Sequence, residues 1–155
     1  MSPRLRRPVR EAAACLAALL ALGALAGCTS YSGTKANQVS QWASLYSVVS
    51  DDQLVVQDIT AIRLSLDEGR LRDVTSNCAG LVFDSGTAYD NLPAPDNTLT
   101  DELNVAYVDF TDAGTSCSAV RSLDSRRMKA ALRTITTGLL SLDEAERRLA
   151  ADGVR

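Results

Sequence analysis

The sequence predicts an all-α protein, a four-helix up-and-down bundle that follows a cleaved signal peptide. Two observations predict the bundle. Apolar residues recur at steps of three and four, and short connections containing Pro, Gly or Ser separate these stripes. A third observation, the absence of histidine among the 155 residues, excludes imidazole acid–base catalysis, histidine triads and histidine metal ligands.

The first predicted helix covers Asn37 to Leu66, where the apolar residues share one helical face. Asn37 is the expected N-cap, because an Asn side chain can accept a hydrogen bond from the first turn. The sequence Ser50-Asp51-Asp52-Gln53 interrupts the stripe and has the form of a capping box. We therefore expect the helix to bend or restart at Ser50, and to end at Gly69.

Two further stripes predict a helix hairpin. The first has the spacing of a coiled-coil seam and consists of Leu71, Val74, Cys78, Leu81, Ser85, Ala88 and Leu92. Pro93 and Pro95 stop this helix, and Asp96-Asn97 supplies a turn and the next cap. The second stripe consists of Leu103, Ala106, Phe110, Ala113, Cys117 and Val120. The short connection makes the two helices antiparallel.

The last predicted helix follows Ser122–Ser125. Its apolar stripe consists of Met128, Leu132, Ile135, Leu139, Leu142, Ala145 and Leu149. Gly153 lies just beyond, where a C-cap glycine is expected. Gly138 is expected on the solvent side of this helix, where glycine costs about 1 kcal/mol of helix stability relative to alanine.

The start of the chain has the three parts of a secretory signal. A basic segment through Arg10 precedes an apolar run from Ala12 to Ala26, and small residues follow. The run of about 15 residues is too short to remain as a membrane span. Its end, Leu25-Ala26-Gly27-Cys28, resembles the lipobox of bacterial lipoproteins.

This resemblance implies that a peptidase cuts before Cys28 and that the Cys28 sulfur carries a diacylglyceryl group, the only cofactor-like group expected. Residues 1–27 are then a signal peptide, residues 28–36 a lipidated cysteine and short tether, and residues 37–155 the helical bundle domain. The protein is expected at the outer face of the cytoplasmic membrane, outside the cytoplasm. The alternatives are an ordinary cleavable signal with a chance cysteine and, because of Arg6-Arg7, twin-arginine export in place of general secretion.

Cys78 and Cys117 are predicted to face each other. In an antiparallel hairpin, facing residues have numbers with a constant sum, and this pair has the same sum as Leu81 with Gly114. The expected compartment is oxidising, so we expect a disulfide between them. Gly114 would let the two backbones approach beside it. Two buried free thiols, or a redox-active pair, are the alternatives.

The same hairpin carries a second resemblance. Its pattern consists of Cys78, Pro93-Ala94-Pro95, Leu99, Leu103, Tyr107 and Cys117. This pattern resembles a hairpin of small secreted and lipoprotein-type proteins of actinobacteria, over about residues 70–120. The resemblance implies a fold and a location but no activity.

Catalytic motifs are missing from the sequence. It contains no phosphate-binding loop, no GxGxxG, no GxSxG and no calcium loop, and its adjacent acid pairs are typical of first helical turns. We therefore expect no catalytic residue, no metal site and no enzymatic activity. From Cys28 onward, 12 basic and 18 acidic side chains give a net charge of −6, which disfavours nucleic acid as a partner.

Two features are candidate partner contacts. Trp42 could anchor at an interface or belong to the core. A basic cluster could meet an acidic wall polymer or lipid headgroups, or could be a solvated helix start; it consists of Arg121, Arg126, Arg127, Lys129 and Arg133.

The expected function is that of a membrane-anchored, non-catalytic envelope lipoprotein that binds another envelope protein or a cell-wall component. The alternative is a small-ligand or lipid carrier with a cavity between its helices. Small residues on the facing seams favour this alternative: Ala88, Ala106, Ala113 and Gly114.

We predict that Cys28→Ala releases the protein from membranes and leaves the leader uncleaved, because the thiol that receives the lipid is gone. Metabolic labelling with a fatty acid should mark the wild-type protein and not the variant. Absence of label on the wild type, or label retained on the variant, would contradict the lipobox assignment.

Overall fold

The computed structural model describes residues 31–154, and within that range the chain forms α-helices without a β-strand. The helices are α1 (Lys35–Leu45), α2 (Val48–Asp67), α3 (Leu71–Tyr89), α4 (Asn97–Ser118) and α5 (Arg126–Ala151). The predicted all-α class is confirmed for these residues. The predicted signal peptide, including the lipobox from Leu25 to Cys28, lies outside the described residues.

Helix α4 is the centre of the packing, because both α3 and α5 pack along it, while α2 packs against α3. The buried side chains come mainly from the predicted apolar stripes, and the largest include Phe110, Leu81 and Ile135. Within residues 31–154, no helix combines the length and the apolar character that crossing a membrane requires.

The first predicted helix is in fact two helices, α1 and α2, and the prediction of a break at Ser50 is wrong. The break falls at Ser47, whose backbone has φ 55°. A left-handed residue cannot continue a right-handed helix, so the chain turns here and starts α2 at Val48. Helix α1 begins at Lys35 with Thr34 as its cap, two residues before the expected helix start.

Asn91, which follows α3, holds the corner between α1 and α2. Its side-chain nitrogen donates to the carbonyl oxygen of Tyr46 at 3.3 Å and to a carboxylate oxygen of Asp51 at 2.8 Å. Its own carbonyl oxygen accepts a hydrogen bond from the Trp42 indole at 3.0 Å. One amide residue therefore satisfies polar groups of α1, the corner and α2.

The predicted cap at Asp96 is present. A carboxylate oxygen of Asp96 accepts a hydrogen bond from the backbone N–H of Leu99 at 2.9 Å, and Lys35 pairs with the same carboxylate. The lysine and this N–H hold the pKa of Asp96 below its usual range. The cap therefore also ties the start of α1 to the start of α4.

The hairpin register is confirmed by the contacts between α3 and α4. Cys78 and Cys117 form a disulfide, with their Cα atoms 5.8 Å apart. A Cβ atom on Gly114 would lie 2.8 Å from the carbonyl oxygen of Cys78 and 2.8 Å from a methyl carbon of Val82. Side chains cannot approach a backbone so closely, and glycine at this position lets the two helices meet beside the bridge.

The prediction that Gly138 faces solvent is wrong. Gly138 is buried, and a Cβ atom there would lie 2.7 Å from the ring of Phe110 and 3.2 Å from the carbonyl oxygen of Ala106. The seam of α5 is wider than the predicted stripe, because the packing of α5 against α4 also uses this position. The glycine thus contributes close packing that offsets its low helix propensity.

Two glycines end helices by adopting positive φ. Gly153 has φ 84°, and the N–H of Val154 reaches back to the carbonyl oxygen of Leu149 at 2.9 Å, which confirms the predicted C-cap. Gly69 has φ 69° and ends α2 with the same pattern, closed by the N–H of Arg70 on Ser65. Both ends are Schellman motifs, which satisfy carbonyl groups that the last helical turn leaves free.

We predict that a Cys78→Ala, Cys117→Ala double variant stays helical but loses roughly 2–5 kcal/mol of unfolding free energy. The bridge spans 39 residues, so its loss frees a long loop in the unfolded chain. Thermal unfolding followed by circular dichroism measures the effect. Reductant should lower the Tm of the wild type and leave the Tm of the variant unchanged; equal Tm values in all four samples would show that the bridge does not stabilise the fold.

Candidate binding surfaces

Trp42, one of the two candidate partner contacts, belongs to the core. Its side chain is 1% exposed, and its indole N–H is satisfied by Asn91. The sequence left open whether Trp42 anchors at an interface or belongs to the core, and the structure shows that it belongs to the core. A partner cannot reach this side chain while α1 stays packed.

The basic cluster is exposed at the junction of α4 and α5. Arg121 lies in the connection, and Arg126, Arg127 and Arg133 lie on the first turns of α5. Arg121 and Arg127 line the same surface cleft. Within residues 31–154 these arginines form no ion pair, so their charges face solvent.

A groove that the sequence analysis did not predict lies between α3 and α4. It encloses about 390 Å³ and is lined by Gly86, Tyr89, Asp90, Val108, Thr111 and Asp112. Two further exposed apolar side chains lie on the same helices, Phe83 one turn before Gly86 and Val105 one turn before Val108. Phe83 is 73% exposed, which is unusual for a side chain of this size.

The α3–α4 groove lies in a strongly acidic part of the chain. Residues 73–120 contain eight acidic side chains and neither lysine, arginine nor histidine. Asp90 and Asp112, which line the groove, form no ion pair within the described residues. Burial and the charge of Asp112 raise the pKa of the neighbouring Asp109, as expected where like charges accumulate.

Gly86 lines the α3–α4 groove, and no packing contact requires a glycine there. A Cβ atom added to it would meet no atom within 4 Å, in contrast to the crowded positions of Gly114 and Gly138. A glycine inside a helix costs about 1 kcal/mol relative to alanine. The glycine therefore leaves open space in a groove that Tyr89 and Val108 also line.

A second groove lies between α2 and α5 and encloses about 380 Å³. Its floor consists of Ile59, Ile62 and Ile135, which are almost fully buried. Arg63 and Asp67 stand at its rim. An apolar floor with a few polar groups at the rim is the usual form of a small-molecule site.

The buried core contains an acid that the sequence analysis placed in a capping box. Asp52 is 3% exposed, and its carboxyl oxygen accepts a hydrogen bond from the Tyr107 hydroxyl at 2.7 Å. Burial raises the pKa of Asp52 to about 7, assisted by the negative charges of Glu146 and Asp51 and opposed by the Tyr107 hydrogen bond. Burial and the Asp52 charge likewise raise the pKa of Tyr107. Both side chains are almost fully buried, so neither is placed to contact a substrate.

A second acidic contact joins α2 and α3. One carboxyl oxygen of Asp58 is buried without a hydrogen-bond partner. Burial and the neighbouring Asp84 carboxylate raise the pKa of Asp58 to about 6. Gly80 makes room for this carboxyl group, because a Cβ atom there would lie 3.0 Å from both oxygens. A proton on Asp58 would supply the missing hydrogen bond, to Asp84.

Within residues 31–154, no group of three or more acidic or cysteine side chains has the arrangement of a metal site. No family model matches the chain, and neither a curated protein nor a solved structure matches it. A functional hypothesis therefore depends on the sequence features and on the geometry of these residues. Both lipoprotein resemblances stay predictions.

We predict that the protein becomes less stable as the pH rises from about 4 to about 7. Because the pKa of Asp52 is raised from 3.8 in the unfolded chain to about 7, the folded state binds its proton more tightly. At about 1.36 kcal/mol for each pH unit, up to about 4 kcal/mol is lost across this range. Asp58 contributes in the same direction, over a range that ends at about pH 6.

Denaturant unfolding as a function of pH measures this loss. Asp52→Asn keeps an oxygen that accepts from Tyr107 but carries no charge, so its stability should depend less on pH and exceed that of the wild type at about pH 8. Asp152→Asn, a change on the surface at the end of α5, should leave the pH dependence unaltered. A wild type as stable at pH 8 as at pH 5 would refute the assignment.

Proposed function

We propose that this protein is a membrane-anchored cell-envelope lipoprotein without catalytic activity, whose helical domain binds another envelope protein. The lipobox resemblance at Cys28 supports the anchor and the location. The absence of histidine and of catalytic motifs supports a binding role. We also propose that α2–α5 are the four helices of an up-and-down bundle, with α1 as an addition at the start of α2.

The observation that carries a binding role is the exposed apolar surface of the α3–α4 hairpin. Phe83, Tyr89, Val105 and Val108 are all exposed. Tyr89 and Val108 line the groove, and Phe83 and Val105 each lie one helical turn from a residue that lines it. Contiguous exposed apolar side chains on a soluble domain are typical of protein–protein contacts. The disulfide and Gly114 join the same two helices, so this surface is held in a fixed shape before a partner arrives.

The surface charge favours a protein over an anionic wall polymer as the partner of the hairpin. Acidic side chains surround the groove, and an anionic polymer would be repelled. Within residues 31–154, the basic cluster around Arg127 is the surface best suited to such a polymer. If the partner is a cell-wall component, we propose that it binds this cluster.

A photo-crosslinking amino acid at position 108 tests the binding role in living cells. Val108 lies in the groove, whereas Leu140 of α5 is even more exposed but does not line it, which makes it a stringent control. We expect a reproducible adduct in the membrane fraction from position 108 and not from position 140. No adduct at position 108, or equal adducts at both positions, would contradict this role for the hairpin.

A small-ligand carrier is the second candidate function, and the groove between α2 and α5 favours it. Its volume of about 380 Å³ and its isoleucine floor would accept one apolar ligand or part of an acyl chain. Thr136→Trp would fill this groove, while Thr137→Trp changes an exposed neighbour outside it. Native mass spectrometry should then find a bound molecule on the wild type and on Thr137→Trp but not on Thr136→Trp; a wild type free of ligand would rule this candidate out.

A further inference from the structure

We propose that the α3–α4 groove binds a cationic, amphipathic segment of the partner protein, with an apolar side chain seated over Gly86 and lysine or arginine side chains facing Asp90 and Asp112. This inference rests on the proposed function and specifies its partner. It is carried by three properties of the groove: open space, apolar walls and uncompensated negative charge.

The open space is located at Gly86. No atom lies within 4 Å of a Cβ placed there, so the glycine serves no helix–helix contact. The adjacent walls are Tyr89 on α3 and Val108 on α4, both partly exposed. An apolar side chain that enters between these walls would bury surface that now faces water.

The charge specifies the sign of the segment. Asp90 and Asp112 both line the groove, and within residues 31–154 neither forms an ion pair. The part of the hairpin around the groove also supplies no positive charge of its own, since residues 73–120 lack lysine and arginine. A cationic segment would reduce the repulsion among the acidic side chains around the groove, whereas an acidic segment or an anionic lipid surface would increase it.

A second copy of this chain fits the groove poorly. Within residues 31–154, its densest concentration of positive charge is the basic cluster of residues 121–133. The large apolar side chains that the described residues expose all lie outside residues 119–136: Leu45, Leu54, Val56, Leu64, Phe83, Tyr89, Val105, Val108 and Leu140. The basic cluster therefore lacks an exposed apolar side chain to place over Gly86, so the occupant we propose is a different protein.

The test uses two synthetic peptides as probes. Both have leucine at helical spacing on one face; the first carries lysine on the other face, and the second carries glutamate at the same positions. The protein is purified in a non-ionic detergent, in the form that the cell produces. Each labelled peptide is titrated with this protein, and fluorescence anisotropy measures the Kd. We expect the lysine peptide to bind, its affinity to fall as salt rises, and the glutamate peptide not to bind.

Variants locate the site. Gly86→Leu fills the groove and should weaken binding of the lysine peptide at least tenfold. Gly86→Ala should weaken it less while leaving the Tm unchanged or higher, which separates lost binding from lost folding. Asp90→Asn with Asp112→Asn should weaken binding and reduce its salt dependence. Asp124→Asn with Asp152→Asn changes the net charge equally outside the groove and should have no more than a small effect.

Each other outcome counts against the inference. Equal binding of both peptides, or equal loss in the two pairs of aspartate variants, would show that this groove does not select a cationic segment. Salt-sensitive dimers of the wild type, abolished by both Gly86→Leu and Arg127→Ser, would make a second copy the occupant.

The outcome at position 108 separates this inference from the proposed function. A membrane partner that crosslinks at position 108 but whose binding survives the Asp90 and Asp112 changes would leave the function standing and overturn the inference. Binding of the lysine peptide without any crosslinked partner would support the selectivity of the groove for a cationic segment and would contradict the proposed function.

Discussion

Close contact of α4 with both of its neighbours is the constraint on which the rest of this fold depends. Gly114 removes the side chain that would separate α4 from α3, and Gly138 removes the side chain that would push Phe110 and α5 apart. The disulfide from Cys78 to Cys117 then fixes one end of the α3–α4 pair. Because interiors are closely packed, an added Cβ at Gly114 would have to displace the backbone of α3, and one at Gly138 would have to displace the Phe110 ring or a helix.

The same arrangement explains where a binding surface can form. Helix α4 uses one side for α3 and another for α5, so its remaining side, with Val105, Val108 and Asp112, is exposed beside the outer side of α3. Rigid helices joined by a bridge hold these side chains in place, and a preformed surface loses less entropy on binding. Gly86 is consistent with a binding surface here. Its low helix propensity is not compensated by any packing contact within the protein, so the glycine is not explained by the fold.

Periodicity and end signals predict the helices well, because spacing, proline and capping residues act locally. The register of the hairpin was also predictable, since Cys78 and Cys117 lie equally far from the turn. Buried polar contacts were not predictable from the sequence. In the sequence, Asp52 stands in a segment that has the form of a capping box. Its hydrogen-bond partner, Tyr107, lies 55 residues away, so no local pattern indicates this pair. The groove was not predictable for a different reason: its signals are the absence of positive charge from residues 73–120 and a glycine at position 86, and neither forms a motif.

Backbone NMR of the protein during titration with the lysine peptide tests the central claim most directly, because it locates binding on the fold without any substitution. The account predicts shifts confined to the groove, in residues 83–90 of α3 and 105–112 of α4, with the α2–α5 groove unaffected. Shifts centred on Ile59 and Ile135, or on the basic cluster around Arg127, would contradict the claim that the α3–α4 hairpin is the surface this protein presents to its partner.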